Sequence, residues 1–342
     1  MIPVVFGLSG PVLTPDERDF FRDVDPAGYI LFRRNCVDRA QLRALTDDLR
    51  TLHGRDDLPV LIDQEGGRVA RMQPPEWPAF PPAALFGRLY DIAPASAIAA
   101  ARANAHALGL MLAQCGINVD CLPLLDVRRA GADDVIGDRA FGFEPMRVAA
   151  LGRAVLAGLA EAGVIGVVKH MPGHGRVLVD SHKALPVVTA GEDELAEDLA
   201  PFIRLADAPI GMSAHIVYTA WDADRPGTLS PAVIDGIIRR RIGFDGLLLT
   251  DDIDMKALSG TPAEKAVAAL AAGCDIVLDC WARMDEMTAI AAAVPPITAA
   301  ARDRLDRAMI GAGRAPDLAV MADLVATRDR LLAPVVTASA AG

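Results

Sequence analysis

The chain has 342 residues, of which 52% are apolar and 23% charged, with a net charge of −11. That supplies a sizeable core, and the interspersed acidic excess argues against a nucleic acid or an anionic membrane as partner. No uninterrupted apolar span is long enough to cross a bilayer, and Met1-Ile2-Pro3 runs straight into Val4-Val5-Phe6 with no basic region ahead of an apolar one. Export by an ordinary signal is therefore not expected, and a cytoplasmic location is.

Taken in chain order, short apolar runs alternate with longer stretches of helical spacing. Strands are predicted at residues 4–8, 29–32, 60–62, 117–122, 165–168, 210–213, 247–250 and 275–278. Helices are predicted at 40–52, 97–115, 146–162, 192–206, 231–242 and 262–272. Such alternation implies parallel pairing, because each crossover helix returns the chain to the same edge. Eight strands in a chain of this length point to a single-domain α/β (β/α)8 barrel over residues 1–333. An open doubly wound sheet would show a glycine-rich phosphate turn after its first strand, and Gly7-Leu8-Ser9-Gly10 is too short for one. The proline-rich segment 74–92 reads as a long loop packed on the barrel, and 334–342, rich in small residues, as a frayed tail. The five cysteines, odd in number and without a CxxC pair, suggest reduced thiols rather than disulfides or a zinc site.

Polar groups gather where the predicted strands end. Asp63 follows the third, Asp126 the fourth, Lys169 and His170 the fifth, His215 the sixth, and Asp251 and Asp252 the seventh. One acidic residue after a strand is most often a helix cap. Five strand ends doing the same would converge on one mouth of a barrel, where such folds carry chemistry. The segment 169–186 adds to this, holding three of the six histidines. Pro172, Gly173 and Gly175 exclude a regular helix there, so these side chains are expected on a loop.

Four blocks make the pattern specific: Leu61-Ile62-Asp63-Gln64-Glu65-Gly66-Gly67-Arg68-Val69; Ile136-Gly137-Asp138-Arg139-Ala140-Phe141-Gly142; Lys169-His170-Met171-Pro172-Gly173-His174-Gly175 with Asp180-Ser181-His182; and Leu249-Thr250-Asp251-Asp252. In this order they resemble glycoside hydrolase family 3, in particular its short single-domain bacterial β-N-acetylhexosaminidases, from about Val5 to Asp279. The KHxPGHG and DSH elements are highly specific, and the TDD element alone is weak. The resemblance implies a retaining exo-glycosidase that removes terminal β-linked N-acetylglucosamine. It further implies a cytoplasmic enzyme of cell-wall recycling that acts on 1,6-anhydro-N-acetylmuramic acid muropeptides.

Carried over by position, the resemblance makes Asp251 the nucleophile and His182 the acid/base, with Asp180 as its partner. It assigns sugar binding to Asp63, Arg71, Arg139, Lys169 and His170. Met171 stands where the family often has phenylalanine, a change expected to touch packing and not chemistry. Retaining hydrolysis needs a carboxylate to attack the anomeric carbon and a proton donor for the leaving oxygen. A histidine titrates near working pH and can serve as that donor, and Asp180 could fix its tautomer. Asp252 is expected to point away or cap the following helix. Arg71, several residues past its strand, could equally be a surface arginine, and His174 and His215 could be loop or supporting hydrogen-bonders.

A metal-dependent barrel hydrolase would draw on His170, His174, His182, His215 and Asp251, but nothing like its usual HxH pair follows the first strand. A β-glucosidase of the same family would generally take its acid from a further domain. A non-catalytic sugar-binding protein would need no Asp251 together with the Asp180–His182 pair. The expectation is therefore a monomeric enzyme with a small carbohydrate substrate, no cofactor, no metal, and neither nucleic acid nor membrane as partner.

Overall fold

A computed structural model describes residues 1–178 and 185–340 of the chain. Eight strands form a closed barrel: β1 (Ile2–Gly7), β2 (Pro26–Leu31), β3 (Val60–Ile62), β4 (Val119–Asp120), β5 (Ile165–Met171), β6 (Ile210–Ser213), β7 (Leu247–Asp252) and β8 (Ile276–Asp279). Each pairs in parallel with its successor, and β8 closes on β1 with Val4 opposite Val277. The eight predicted strands are all present, and the open sheet is excluded.

Alternation along each strand divides the core in two. Val5, Ile30, Leu61, Val119, Val167, Met212, Leu249 and Leu278 fill the barrel interior. Val4, Tyr29, Leu31, Val60, Val168, Leu248 and Val277 belong to the larger outer cluster with the helices. A parallel strand is thus apolar on both faces, which is why these segments read as unbroken apolar runs.

Among the described residues, ten α-helices pack around the barrel: α1 (Pro15–Val24), α2 (Arg39–His53), α3 (Ala83–Ile92), α4 (Pro94–Gln114), α5 (Pro145–Glu161), α6 (Glu192–Arg204), α7 (Pro262–Ala272), α8 (Met284–Ala293), α9 (Ala299–Ala308) and α10 (Met321–Ala340). Thr14 with Glu17 and Thr261 with Glu264 form reciprocal capping boxes that start α1 and α7. The predicted helix at 231–242 winds as a π-helix, Ala232–Ile242. α9 places Leu305 and Ala308, together with Met309, in the interior cluster beside Ala27 and Ile276, filling the amino-terminal end of the barrel.

Three expectations need correction. The proline-rich insertion is not loop throughout, because its second half is α3, with Phe86 and Leu89 buried in the outer core. The carboxyl-terminal stretch continues α10 through Pro334 to Ala340 where a frayed end was expected, and buried Leu332 and Val335 tie it to the core. Lys169, His170 and Met171 lie on β5 itself and not on the loop beyond it. There Met171 is fully buried against Gly211 of β6, a residue with no side chain to displace it.

Candidate active site

The carboxyl ends of β3, β5 and β7 bring the predicted side chains to one cavity of about 510 Å³. Asp63 follows β3 directly. The chain then makes a tight antiparallel ribbon, Gln64–Gly66 against Val69–Ala70. Buried Gln64 holds its far side, accepting from the backbone N–H groups of Arg71 at 2.8 Å and Met72 at 3.0 Å. So fixed, Arg71 reaches back and donates to Asp63 Oδ2 at 3.0 Å. It belongs to the site and is not a stray surface arginine.

Lys169, buried on β5, donates to Asp63 Oδ1 at 3.0 Å, and its Nζ lies 2.7 Å from Glu65 Oε1. Arg139, from the short helical turn Gly137–Arg139, grips Glu65 with two bonds of 2.8 Å. Two carboxylates and three cations thus interlock. Burial opposes the charges of Asp63, Glu65, Lys169 and Arg139, but the pairing outweighs it. Asp63 and Glu65 are held below the usual carboxylate range, and Lys169 is raised above its ordinary value. A buried network of this kind fixes geometry more than it adds stability.

His170 is oriented by Asp126, whose Oδ2 accepts from Nδ1 at 2.7 Å. The other oxygen of Asp126 takes the backbone N–H groups of His170 at 3.2 Å and His174 at 2.7 Å. Burial would raise the Asp126 carboxyl, but His170 and these donors bring it down to about 2, so it is ionised and Nδ1 carries a proton. His174 packs its ring 5.4 Å from that of His170, and burial together with the neighbouring imidazole lowers it to about 4. His215 bonds Thr228 Oγ1 at 2.8 Å and the backbone oxygen of Asp252 at 3.0 Å, bracing β7 from below its two carboxylates.

Those two carboxylates differ. Burial would raise Asp251, yet His170, His215 and the N–H of Asp252, 2.8 Å from Oδ1, bring it below its usual value. Asp252 is lifted to about 6 by burial and by the charges of Asp251 and Asp254. It does not point away, as it lines the same cavity, and it caps no helix, since its Oδ1 accepts from Asp254 N–H in a turn.

Asp63, Arg71, Arg139, Lys169, His170 and Asp251 therefore share one cavity. Asp180 and His182 lie outside the described residues. The sequence reading missed Glu65 as a site residue, although two residues beyond Asp63 on an extended segment is the spacing that puts both on one side. It noted Asp126 at a strand end without giving it a task. Nothing in the local pattern pointed to Phe32, Arg34 or Trp281, which reach the cavity from the ends of β2 and β8. Among the described residues, no group of three or more His, Cys, Asp or Glu is placed to hold a metal ion, and no helix is long and apolar enough to cross a membrane.

Residues 13–309 match the glycosyl hydrolase family 3 N-terminal domain. A β-hexosaminidase of Chromobacterium violaceum is 39% identical over 320 residues, covering 92% of this chain and 88% of that protein. One from Bordetella pertussis is 40% identical over 285 residues, covering 81% and 80%. A crystal structure of NagZ from Neisseria gonorrhoeae in complex with N-trifluoroacetyl-D-glucosamine superposes with a TM-score of 0.87 at 33% identity, covering 97% of both chains. The chain belongs to glycosyl hydrolase family 3. It is a glycoside hydrolase of the β-N-acetylhexosaminidase type.

Proposed function

We propose that the chain is a retaining exo-β-N-acetylglucosaminidase in which Asp251 attacks the anomeric carbon and forms a covalent glycosyl intermediate. The observation that carries this reading is an Asp251 carboxyl kept below its usual pKa in the same cavity as the Asp63–Arg71–Lys169 cluster. An ionised carboxylate on a rigid strand end suits a nucleophile that must stand in line with the scissile bond. Asp63, ionised and clamped from two sides, is suited to accept bonds from two hydroxyls of one sugar, while Arg71, Lys169 and Arg139 supply donors around it. His170, held through Nδ1 by Asp126, is suited to bond a further hydroxyl.

His182 acts as the proton donor to the leaving oxygen and then as base toward water, with Asp180 orienting it. These two assignments rest on the DSH motif. The natural substrate is a 1,6-anhydro-N-acetylmuramic acid muropeptide, cleaved in the cytoplasm during cell-wall recycling by the monomeric enzyme. The similarity to a NagZ that holds an N-acylglucosamine supports the choice of sugar.

A slow fluorinated glucosaminide should trap the intermediate, and peptide mass mapping should place the label on Asp251. Asp251→Ala should lose turnover by roughly four orders of magnitude or more while still binding N-acetylglucosamine in calorimetry. Early release of the α-anomer in product NMR, or a label on another residue, would overturn the assignment.

A further inference from the structure

The ribbon that follows β3 carries much of the site, and a buried carboxyl outside the cavity lining holds that ribbon in place. Asp120 ends β4, in register with Ile62 of β3 and Gly166 of β5. Val119 and Cys121 on either side of it belong to the interior cluster, so its side chain takes the opposite face, toward the layer of helices. It is fully buried there.

Its Oδ1 accepts from the backbone N–H of Gln64 at 3.0 Å. Gln64 stands between Asp63 and Glu65. Its own side chain accepts from the N–H groups of Arg71 and Met72 and donates to Met72 O at 2.9 Å. One bond from Asp120 therefore fixes the residue that separates the two carboxylates held by Lys169 and, through Gln64, the backbone of Arg71.

The other oxygen of Asp120 is shut off from water and has no hydrogen-bond partner among the described residues. A carboxylate ionised with one N–H donor and one bare oxygen is costly to bury, and a neutral carboxyl costs far less. The charged groups that face it are Asp63 and Glu65 beyond β3 and Lys169 on β5, and both carboxylates already claim Lys169. Burial pushes the Asp120 carboxyl well above the usual range. Asp63 and Glu65 add to this, whereas the Gln64 N–H and Lys169 oppose it.

We propose that Asp120 is a positioning residue for the sugar-binding cluster and serves as a neutral acid. Oδ1 suspends Gln64, so that Asp63 and Arg71 meet the sugar in a fixed geometry, and the retained proton leaves Lys169 to Asp63 and Glu65. The inference rests on the glucosaminidase reading above and adds to it a residue that touches no substrate.

Two variants separate these roles. Asp120→Asn keeps the acceptor and the neutral charge, so with an aryl N-acetyl-β-glucosaminide at neutral pH its KM and kcat should stay within about twofold of wild type. Asp120→Leu keeps similar bulk but orphans the Gln64 N–H, and should raise KM about tenfold or more while kcat changes less than about threefold. The infrared difference between wild type and Asp120→Asn at neutral pH should show the carbonyl stretch of a protonated carboxyl and no carboxylate bands. A loss in Asp120→Asn as deep as in Asp120→Leu, an unchanged KM in Asp120→Leu, or carboxylate bands in the spectrum would overturn the role of Asp120 alone. Should the leucine variant not fold, the kinetics and spectrum of the asparagine variant decide the matter. Failure of the wild type to hydrolyse the glucosaminide would overturn the glucosaminidase reading and the positioning role with it.

Discussion

Lys169 stands between two carboxylates, and that position explains why Glu65 matters although no sugar need touch it. Its carboxylate sits 2.7 Å from Lys169 Nζ and holds both donors of Arg139. Replacing it by glutamine keeps the shape but leaves two buried cations facing an amide. Glu65→Gln should therefore lower kcat/KM by roughly 10–100-fold, mostly through KM, because the groups it positions are those proposed to hold the sugar in substrate and transition state alike. Steady-state kinetics below the melting temperature of the variant measures this, and an unchanged KM would count against the positioning role. The neighbouring pair on β7 follows a different logic. Two adjacent carboxyls are pushed apart in acidity, Asp251 downward and Asp252 up to about 6, so that one is reliably ionised beside another that still titrates near neutral pH.

Among the elements, α3 is the instructive case. Its glycine, Gly87, lies against the backbone of the segment that carries Arg139, where an added Cβ would stand 1.9 Å from Phe141 O. On an open helix Gly→Ala gains about 1 kcal/mol. Here the clash should reverse the sign, with Gly87→Ala melting several degrees lower and losing affinity for N-acetylglucosamine as Arg139 shifts. Calorimetry of both properties decides it, and a rise in melting temperature would refute the contact. The barrel strands were legible because each is an apolar run buried on both faces, and the site was legible because its polar groups sit where those runs end. α3 was not, since the five prolines at 74, 75, 78, 81 and 82, just ahead of it, mask a short helix whose stability comes from packing Phe86 and Leu89 and not from its own spacing. Glu65 and Asp126 were visible as residues, but their tasks arise from partners 74 and 44 positions away. Arg34 and Trp281 meet only when β8 closes on β1, which no local pattern announces.

Across the whole molecule, buried carboxyls set how stability responds to pH. Asp126 is lowered to about 2, so what it contributes is present above pH 4 and is lost as pH falls toward 2. Asp279 behaves oppositely. Burial, with Asp252 and Glu286 nearby, raises it to about 7, and its Oδ1 has no hydrogen-bond partner among the described residues. The unfolded chain releases that proton near pH 4 while the folded chain keeps it to about 7, so stability declines across that window. Asp279→Asn should remove the decline, raising the melting temperature by roughly 3–5 °C at pH 8 and little at pH 5. Scanning calorimetry at both values tests this, and an equal change at each would contradict the raised acidity constant. A last consequence follows from Leu305, Ala308 and Met309, which stopper the far end of the barrel. A barrel plugged there offers no passage along its axis, so whatever enters between the strand ends must leave on the side by which it came.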